Sequence, residues 1–563
     1  MNIFNSKKKK ILVSVLLTGF IFIIFGASKS DTYRSIARSQ RIINEVYKHL
    51  IVNYADELDT DEFTKISINN MLSDLDPYTV YLESDQRDNL DMLTLGKYGG
   101  VGIQLGRRDD HLTVISPMED SPAKHAGILS GDIISKIDEE VVKDLSLNDA
   151  AKLIRGQKGT PIVLTIVRLG EEEPIEFHLT RTDIMIHDVA FAEMIDDDTG
   201  YIVLTRFSKN APREMETALR SLISQDMNNL ILDLRNNPGG LLSAAIDVLE
   251  LIVPKGENLL WTKGRNKESN REFISLRNPL LDYKVKIAVL INEGSASASE
   301  ILSGVIQDLD RGIVIGNKSF GKGLVQSVYG IDQNRSLKVT TAKYYIPSGR
   351  LIQKPNYLNE KVVKNVMLED SIFTTKGGRI VKGGGGIYPD YVVEDIQVGP
   401  LTRECWRKSY FFSFARENKN GFETFDDVLN DKRIMDKFSK YLSSNELDIK
   451  IEGQSQFEQS KGKLQKYDDE NAKLNYAFKM IEEFIEDTEK SLFKAEYHDL
   501  EKNVYANFAQ IFGGNKGRIR YNIDQDDTIN KARELLHDHM AYTETFTAVT
   551  NNLYFRKTIL FFR

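Results

Sequence analysis

Two short stretches of this chain carry residues able to do covalent chemistry. The first is Asn292-Glu293-Gly294-Ser295-Ala296-Ser297-Ala298-Ser299-Glu300, and the second is Ser319-Phe320-Gly321-Lys322-Gly323-Leu324-Val325-Gln326. A serine hydroxyl attacks a carbonyl carbon efficiently only when a base takes its proton, and no histidine lies near either stretch. Lysine can serve as that base once its amine is neutral, and burial favours the neutral form. From a reference pKa of about 10.4, a working value of roughly 7 to 8 requires a shift of about 3 units, or about 4 kcal/mol. Glycines on both sides of Lys322 let backbone close around the amine, an enclosure that an exposed surface position lacks. Gln326 lies four positions on, sharing a face with Lys322 if the segment is helical. Its side chain can accept a hydrogen bond from the amine.

These side chains need elements to hold them. The first stretch follows an apolar run, Lys286 to Ile291, and leads into helical spacing from Ile301 to Leu309. A strand, a turn of small residues and a helix place a side chain at the mouth of a sheet. Backbone N–H groups there are free to face an anion, and nucleophilic serines use this geometry in unrelated folds. Taken alone, the stretch reads equally well as a small-residue turn with serine caps.

Together these residues resemble the C-terminal processing peptidases (tail-specific proteases), serine peptidases with a Ser-Lys dyad and an attached PDZ domain. The resemblance is carried by Gly294 to Ile301, by Gln307-Asp308 with Arg311, and by Phe320 to Gln326. It implies Ser297, the middle serine of the run, as nucleophile, Lys322 as base 25 residues later, and Gln326 as the lysine's partner 29 residues after the serine. Ser295 would then line the turn and Ser299 would cap the helix. A second family signature is Asp233-Leu234-Arg235-Asn236-Asn237-Pro238-Gly239-Gly240. As a plain βα turn it needs glycine for positive φ. As part of a site, the N–H of Gly239 or Gly240 would pair with that of Ala298 as an oxyanion hole, each donor worth roughly 2.7 to 4 kcal/mol. The implied fold class is an α/β peptidase core similar to the crotonase and Clp-protease folds, with an inserted PDZ domain and a helical C-terminal extension. No metal or cofactor is required. The resemblance covers about residues 65–395.

The rest of the chain fits this frame. Its 563 residues, 41% hydrophobic and 28% charged, suffice for several domains. We divide them into a signal peptide or anchor (1–30), an N-terminal helical region (31–95), a PDZ domain (96–183), a peptidase core (184–400) and a helical domain (401–563). A net charge of −8 argues against nucleic acid as a partner. The single cysteine, Cys405, excludes internal disulfides and cysteine-based metal sites. Lys7 to Lys10 precede an uncharged run from Ile11 to Ala27, the pattern of an export signal, cleaved or retained. The expected location is therefore periplasmic, or anchored in the inner membrane facing outward.

In the PDZ stretch, Gly100, Val101, Gly102 and Ile103 are the candidates for holding a peptide's terminal carboxylate, with the following strand pairing the peptide by β-augmentation. Ser121 to Ile128 and Gly131 to Ile137 are PDZ-like, and the flanking helix spans Leu147 to Ile154. Arg155, at that helix's end, either relays peptide docking to the core or is a solvated arginine. The expected partners are protein or peptide substrates with flexible, apolar C-termini. Oligomeric state stays open, a homo-oligomer included. The tail reads as helices that gate or dock, or simply as solvated helices packed on the core. His537-x-His539 has no third ligand in view, so no metal site is expected. The competing reading of the whole chain is a scaffold that binds C-termini without cutting them.

Overall fold

The computed structural model describes residues 33–83, 86, 92, 94–108, 110–355, 372–394, 397–466 and 472–547. The signal-like segment lies outside these residues, as does most of the stretch after Lys354. Among the described residues, no helix is long and apolar enough to cross a membrane. The chain forms two compact units. The first, residues 1–81 with 358–363, holds a helix over 33–53 and a second over Thr60–Ser73, whose N-cap Asp59 accepts from the N–H groups of Asp61 and Glu62. Asp76 of the Leu-Asp-Pro turn accepts from the N–H groups of Tyr78 and Thr79 at 2.9 and 3.0 Å, a structural role.

In the second unit, the PDZ domain is entered through β1 (Lys97–Gly100) and continues into β2 (Ile103–Arg108), β3 (His111–Pro117) and, further on, helix α1 (Leu147–Ile154). It is left through β4 (Thr182–Met185), which pairs antiparallel with β1. Entry and exit thus form one ribbon. β2 is an edge strand of the domain's sheet, and Val114, Ile134, Leu164 and Ile166 form its core.

The peptidase core is a sheet built from β5 (Val189–Met194), β6 (Thr199–Leu204), β7 (Asn229–Asp233), β8 (Lys286–Ile291) and β9 (Ile313–Gly316). Two further strands, β10 (Leu324–Gly330) and β11 (Ser336–Tyr345), pair with each other in a separate sheet, and β12 (Tyr391–Val392) completes the main one. The main order is β5-β6-β7-β8-β9-β12, with only β5 antiparallel to its neighbour. Unbroken apolar runs such as Leu230-Ile231-Leu232 and Ile287 to Ile291 are what a parallel strand covered on both faces requires, and both are fully buried.

One face is covered by α2 (Ala211–Ile223), α3 (Leu242–Leu249) and α4 (Ala298–Asp308), which pack Leu219, Leu249 and Leu302 against Leu204, Leu232 and Val289. The other is closed from far away in sequence. Helices α5 (Asp527–His537) and α6 (His539–Thr545) lay Ile529, Ala532, Leu536 and Tyr542 on Tyr201, Ile231, Leu290 and Ile315. The rest of the helical region has its own aromatic cluster, including Phe411, Phe414, Phe438 and Phe508, which also takes in Ile115 of β3.

Every residue of α4 is buried, and its small side chains explain how. A Cβ on Gly304 would stand 2.6 Å from Ile346. Its polar end is matched by Arg350, which bonds Asp308 at 2.8 Å and Gln307 at 2.7 Å. Arg311 instead donates to the carbonyls of Ile252, Val285 and Asp282.

Candidate active site

Ser297 sits where β8 turns into α4, as the helix N-cap, with φ 55° and ψ −109°. Positive φ is uncommon for a residue with a side chain and persists only where the surroundings impose it. Here they do. Ser295 Oγ accepts from Asn292 N (3.0 Å) and donates to Leu234 O (2.7 Å), lining the turn as expected. Ala296 N donates to Asn237 O at 3.0 Å. Ser299 does not cap the helix: the nucleophile candidate itself takes that position, and Ser299, two residues on in the first turn, donates its hydroxyl to Asn237 O at 2.9 Å.

The group that ties this turn to the lysine segment is Glu300. Its carboxylate is fully buried. One oxygen accepts from the N–H groups of Ser297 and Lys322, both at 2.8 Å. The other accepts from Gly321 N at 2.7 Å and Ser319 Oγ at 2.6 Å. Burial pushes its pKa above the usual carboxylate range while the four donors pull it back. A shell made only of donors suits an ionised carboxylate. A second tie is the Tyr344 hydroxyl, 3.1 Å from Ser297 O and 2.6 Å from Lys322 O. Ser297 and Lys322, both half-buried, therefore stand on backbones fixed to each other by one carboxylate and one phenol.

The Asp233-to-Gly240 turn abuts the same place. A Cβ on Gly239, whose φ is +93°, would stand 2.6 Å from Ala296 O, 2.8 Å from Ala298 N and 2.9 Å from Ser297 Cβ. Only glycine allows that approach. Asn237 accepts from Gly239 N at 2.9 Å and donates to Leu204 O at 2.7 Å. Among the described residues, the N–H groups of Gly240 and Ala298 have no hydrogen-bond partner.

Three family models match the chain: "Peptidase family S41" over residues 198–360, "PDZ domain" over 113–168, and "Probable PDZ-protease, C-terminal helical domain" over 401–536. A carboxy-terminal-processing protease of Bartonella bacilliformis is 36% identical over 346 residues, covering 61% of this chain and 78% of that protein. The carboxyl-terminal-processing protease of Synechocystis sp. is 35% identical over 365 residues, covering 62% and 84%. The chain belongs to peptidase family S41. It is a serine-type peptidase with an S41 core, a PDZ domain and a C-terminal helical domain.

Within this S41 peptidase the lysine segment is not helical. Leu324–Gly330 is a strand paired with β11, as its branched and aromatic residues Val325, Val328 and Tyr329 favour. Gln326 is half-buried on that strand, its Nε2 3.4 Å from Thr340 Oγ1. Across from Leu324 lies a second half-buried lysine, Lys343, whose pKa is lowered by burial.

In the peptidase's PDZ domain, Gly100 ends β1 and Ile103 begins β2. Between them, Val101 O accepts from Ala123 N (3.0 Å) and Gly102, at φ +76°, accepts from Met118 N (2.8 Å). Arg155 is half-buried, with its guanidinium carbon 5.3 Å from the centre of the Tyr98 ring. His537 finds its partners in the core, 2.9 Å from Asp198, with Asp196 close by. Sequence reading saw no third ligand near His537, whereas the ligand atoms of Asp196, Asp198 and His537 lie within 4.8 Å of one another; Arg533 also meets Asp196, at 3.5 Å.

Sequence reading missed Glu300, Tyr344 and Asn237 as parts of the site. For Glu300 a signal was present: Ser297-x-x-Glu300 has the spacing of a capping box. Tyr344 and Asn237 act through contacts that sequence spacing does not encode.

Proposed function

We propose that this chain is an exported endopeptidase that captures flexible, apolar protein C-termini on its PDZ domain and cleaves by a Ser297–Lys322 acyl-enzyme mechanism. The observation that carries this reading is the pairing of a positive-φ serine at a helix N-terminus with a lysine loop through one buried carboxylate. Ser297 Oγ attacks the scissile carbonyl carbon as its proton passes to neutral Lys322 Nζ. The developing oxyanion is held by the N–H of Ala298 together with that of Gly240, since Gly239 N is engaged by Asn237. Collapse expels the amine, which takes the proton back from Lys322, and water then resolves the acyl-enzyme by the same steps. Gln326 orients the lysine amine. In the PDZ domain, the Gly100-to-Ile103 turn takes the terminal carboxylate and the free edge of β2 takes the peptide strand. Export is supported by Lys7 to Lys10 and the uncharged run that follows.

The test is digestion of an unfolded polypeptide with an apolar C-terminus, read by mass spectrometry. Ser297→Ala and Lys322→Ala abolish cleavage, whereas Lys343→Ala retains it. The rate rises from pH 6 to 9 as a lysine loses its proton. A flat profile with chemistry limiting removes Lys322 as the base, and binding without cleavage in the wild type overturns the reading. Amidating the substrate's C-terminus raises KM if the PDZ domain captures carboxylates; an unchanged KM removes that part.

A further inference from the structure

The signature that bears Gly239 and Gly240 begins with an ion pair whose third member comes from the other end of the chain. Arg235 bonds Asp233 through Nε and Nη2, the latter at 2.7 Å, and Tyr201 Oη donates to the same Asp233 oxygen at 2.7 Å. The remaining nitrogen, Nη1, reaches both oxygens of Asp526 at 3.1 and 2.8 Å. Both side chains are mostly buried, 21% and 25% exposed. Asp526 is also the N-cap of α5, accepting from Thr528 N and Ile529 N. From Arg235 the connection to the nucleophile turn is one residue long. Asn236 N donates to Asn292 Oδ1 at 2.8 Å, and Asn292 Nδ2 donates back to Asn236 Oδ1 at 3.1 Å. Asn237, next in line, holds Gly239, Ala296 and Ser299.

The ion pair sits beside an open space as well as apolar packing, for Ile523 and Ile529 cluster with Tyr201 and Ile231 nearby. A cavity of about 370 Å³ lies between the turn and the helices, lined by Tyr201, Arg235, Asn292, Asn522 and Asp526 among others. Both members of the ion pair line this space. A helix N-cap is served equally well by Ser, Asn or Asp, but only a carboxylate offers two charged acceptors to a guanidinium fork.

We propose that Asp526 is a positioning residue for catalysis: through Arg235 it fixes the Asp233-to-Gly240 turn against the Ser297 turn, so that the C-terminal helical region completes the oxyanion site. The inference rests on reading Ser297 as the nucleophile and the 239–240 turn as a source of an oxyanion donor. It makes the last helices a part of the working enzyme rather than a cover for the sheet.

The experiment uses the full chain with Asp526→Asn, which keeps the N-cap and removes the charge, and Asp526→Ala, which removes both. The readouts are kcat and KM on an unfolded polypeptide, the thermal midpoint, and the rate at which diisopropyl fluorophosphate modifies Ser297. In that modification Ser297 Oγ bonds to phosphorus and fluoride leaves, with the phosphoryl oxygen held in the oxyanion site. In Asp526→Asn, kcat and the modification rate fall by about tenfold or more, with KM within about twofold and the midpoint nearly unmoved. Adding Asp526→Asn to Arg235→Lys costs nothing further, as two members of one linkage require. The proposal is overturned if Asp526→Asn keeps wild-type kcat and modification rate. It is equally overturned if losses occur only in Asp526→Ala and follow the midpoint, since Asp526 is then a cap alone. Wild-type protein that cuts the polypeptide no faster than Ser297→Ala identifies failure of the underlying reading, independently of any Asp526 variant.

Discussion

The two faces of the central sheet are covered by different means. On one, each helix follows or precedes the strand it packs on: α2 lies between β6 and β7, α3 between β7 and β8, and α4 between β8 and β9. On the other, α5 and α6 arrive about 200 residues after β9, yet they bury side chains as completely: Leu536 is 0% exposed, as is Leu249 on the first face. The active-site turns lie at the carboxyl ends of the parallel strands, where open α/β sheets bind ligands. α5 runs against the strands, its N-cap at the active-site end through Arg235 and its C-terminal end at their amino ends, where Lys286 Nζ donates to Leu536 O. Local and distant helices therefore bury the two faces of one sheet, each with its own apolar cluster, and the S41 fold of this chain is incomplete without its last described residues.

The largest effects test whether the two faces unfold as one body. Leu536→Ala and Leu249→Ala each remove a fully buried side chain and are expected to destabilise by about 2–5 kcal/mol. Both should shift one cooperative urea transition of the S41 core by similar amounts, followed by core tryptophan or tyrosine fluorescence. A separate early transition in Leu536→Ala alone would split the two faces into independent bodies and defeat the comparison.

A substitution on the first face distinguishes packing from chemistry. Glu300→Gln keeps volume but presents an amide NH₂ to two of the donors that now meet the carboxylate. Hydrogen bonds to a charged acceptor are worth about 1.5–3 kcal/mol each, and the losses fall on the link between Ser297 and Lys322. The expected result is a fall in kcat of about 100-fold or more, with the family's two other domains still folded by circular dichroism. Leu536→Ala, by contrast, should lower stability while the folded fraction retains its turnover. If Glu300→Gln keeps wild-type kcat, the carboxylate is a structural cap and nothing more.

How much of this was legible follows the same division. Strand–helix alternation between Thr199 and Gly316 is local, so the β7, β8 and α2 to α4 segments were readable within a few residues. The Gly294-to-Ile301 and Phe320-to-Gln326 motifs are likewise contiguous. The helix after β8 starts at Ala298 rather than Ile301 because Ser297 is its N-cap, which also displaced the cap expected at Ser299. A spacing of four puts Gln326 on the face of Lys322 only if the segment is helical; the pairing of β10 with β11, a long-range contact, decides for strand. Ile529, Ala532, Leu535 and Leu536 have the spacing of one helix face, but spacing does not encode which surface that face covers. Nor could it say that the residue before the helix meets Arg235. Apolar periodicity encodes that a face is buried; the identity of the partner resides in the fold.

The smallest expected effect lies at β5, the antiparallel edge strand where both faces meet: Val189 packs toward the first and Phe191 toward the second. Asp188, just before it, joins the PDZ ribbon to the core. It is fully buried, paired with Arg206 Nε at 2.9 Å and bonded by the Ser208 hydroxyl. Burial raises its pKa to about 6, against the pull of Ser208 and Arg206. A carboxyl whose folded pKa exceeds its unfolded value of about 3.9 binds more protons in the folded state between those limits. Its contribution to stability therefore falls as pH rises from about 4 to about 6 and is constant above. Asp188→Asn cannot lose a proton, so the difference in unfolding free energy between wild type and variant should shrink or reverse as pH rises through that window, then level off. Urea midpoints at half-unit steps from pH 4.5 to 7.5 measure it. A difference independent of pH would place Asp188 in the ordinary carboxylate range, its ion pair with Arg206 outweighing burial, and would leave the edge strand no pH response of its own between the two faces.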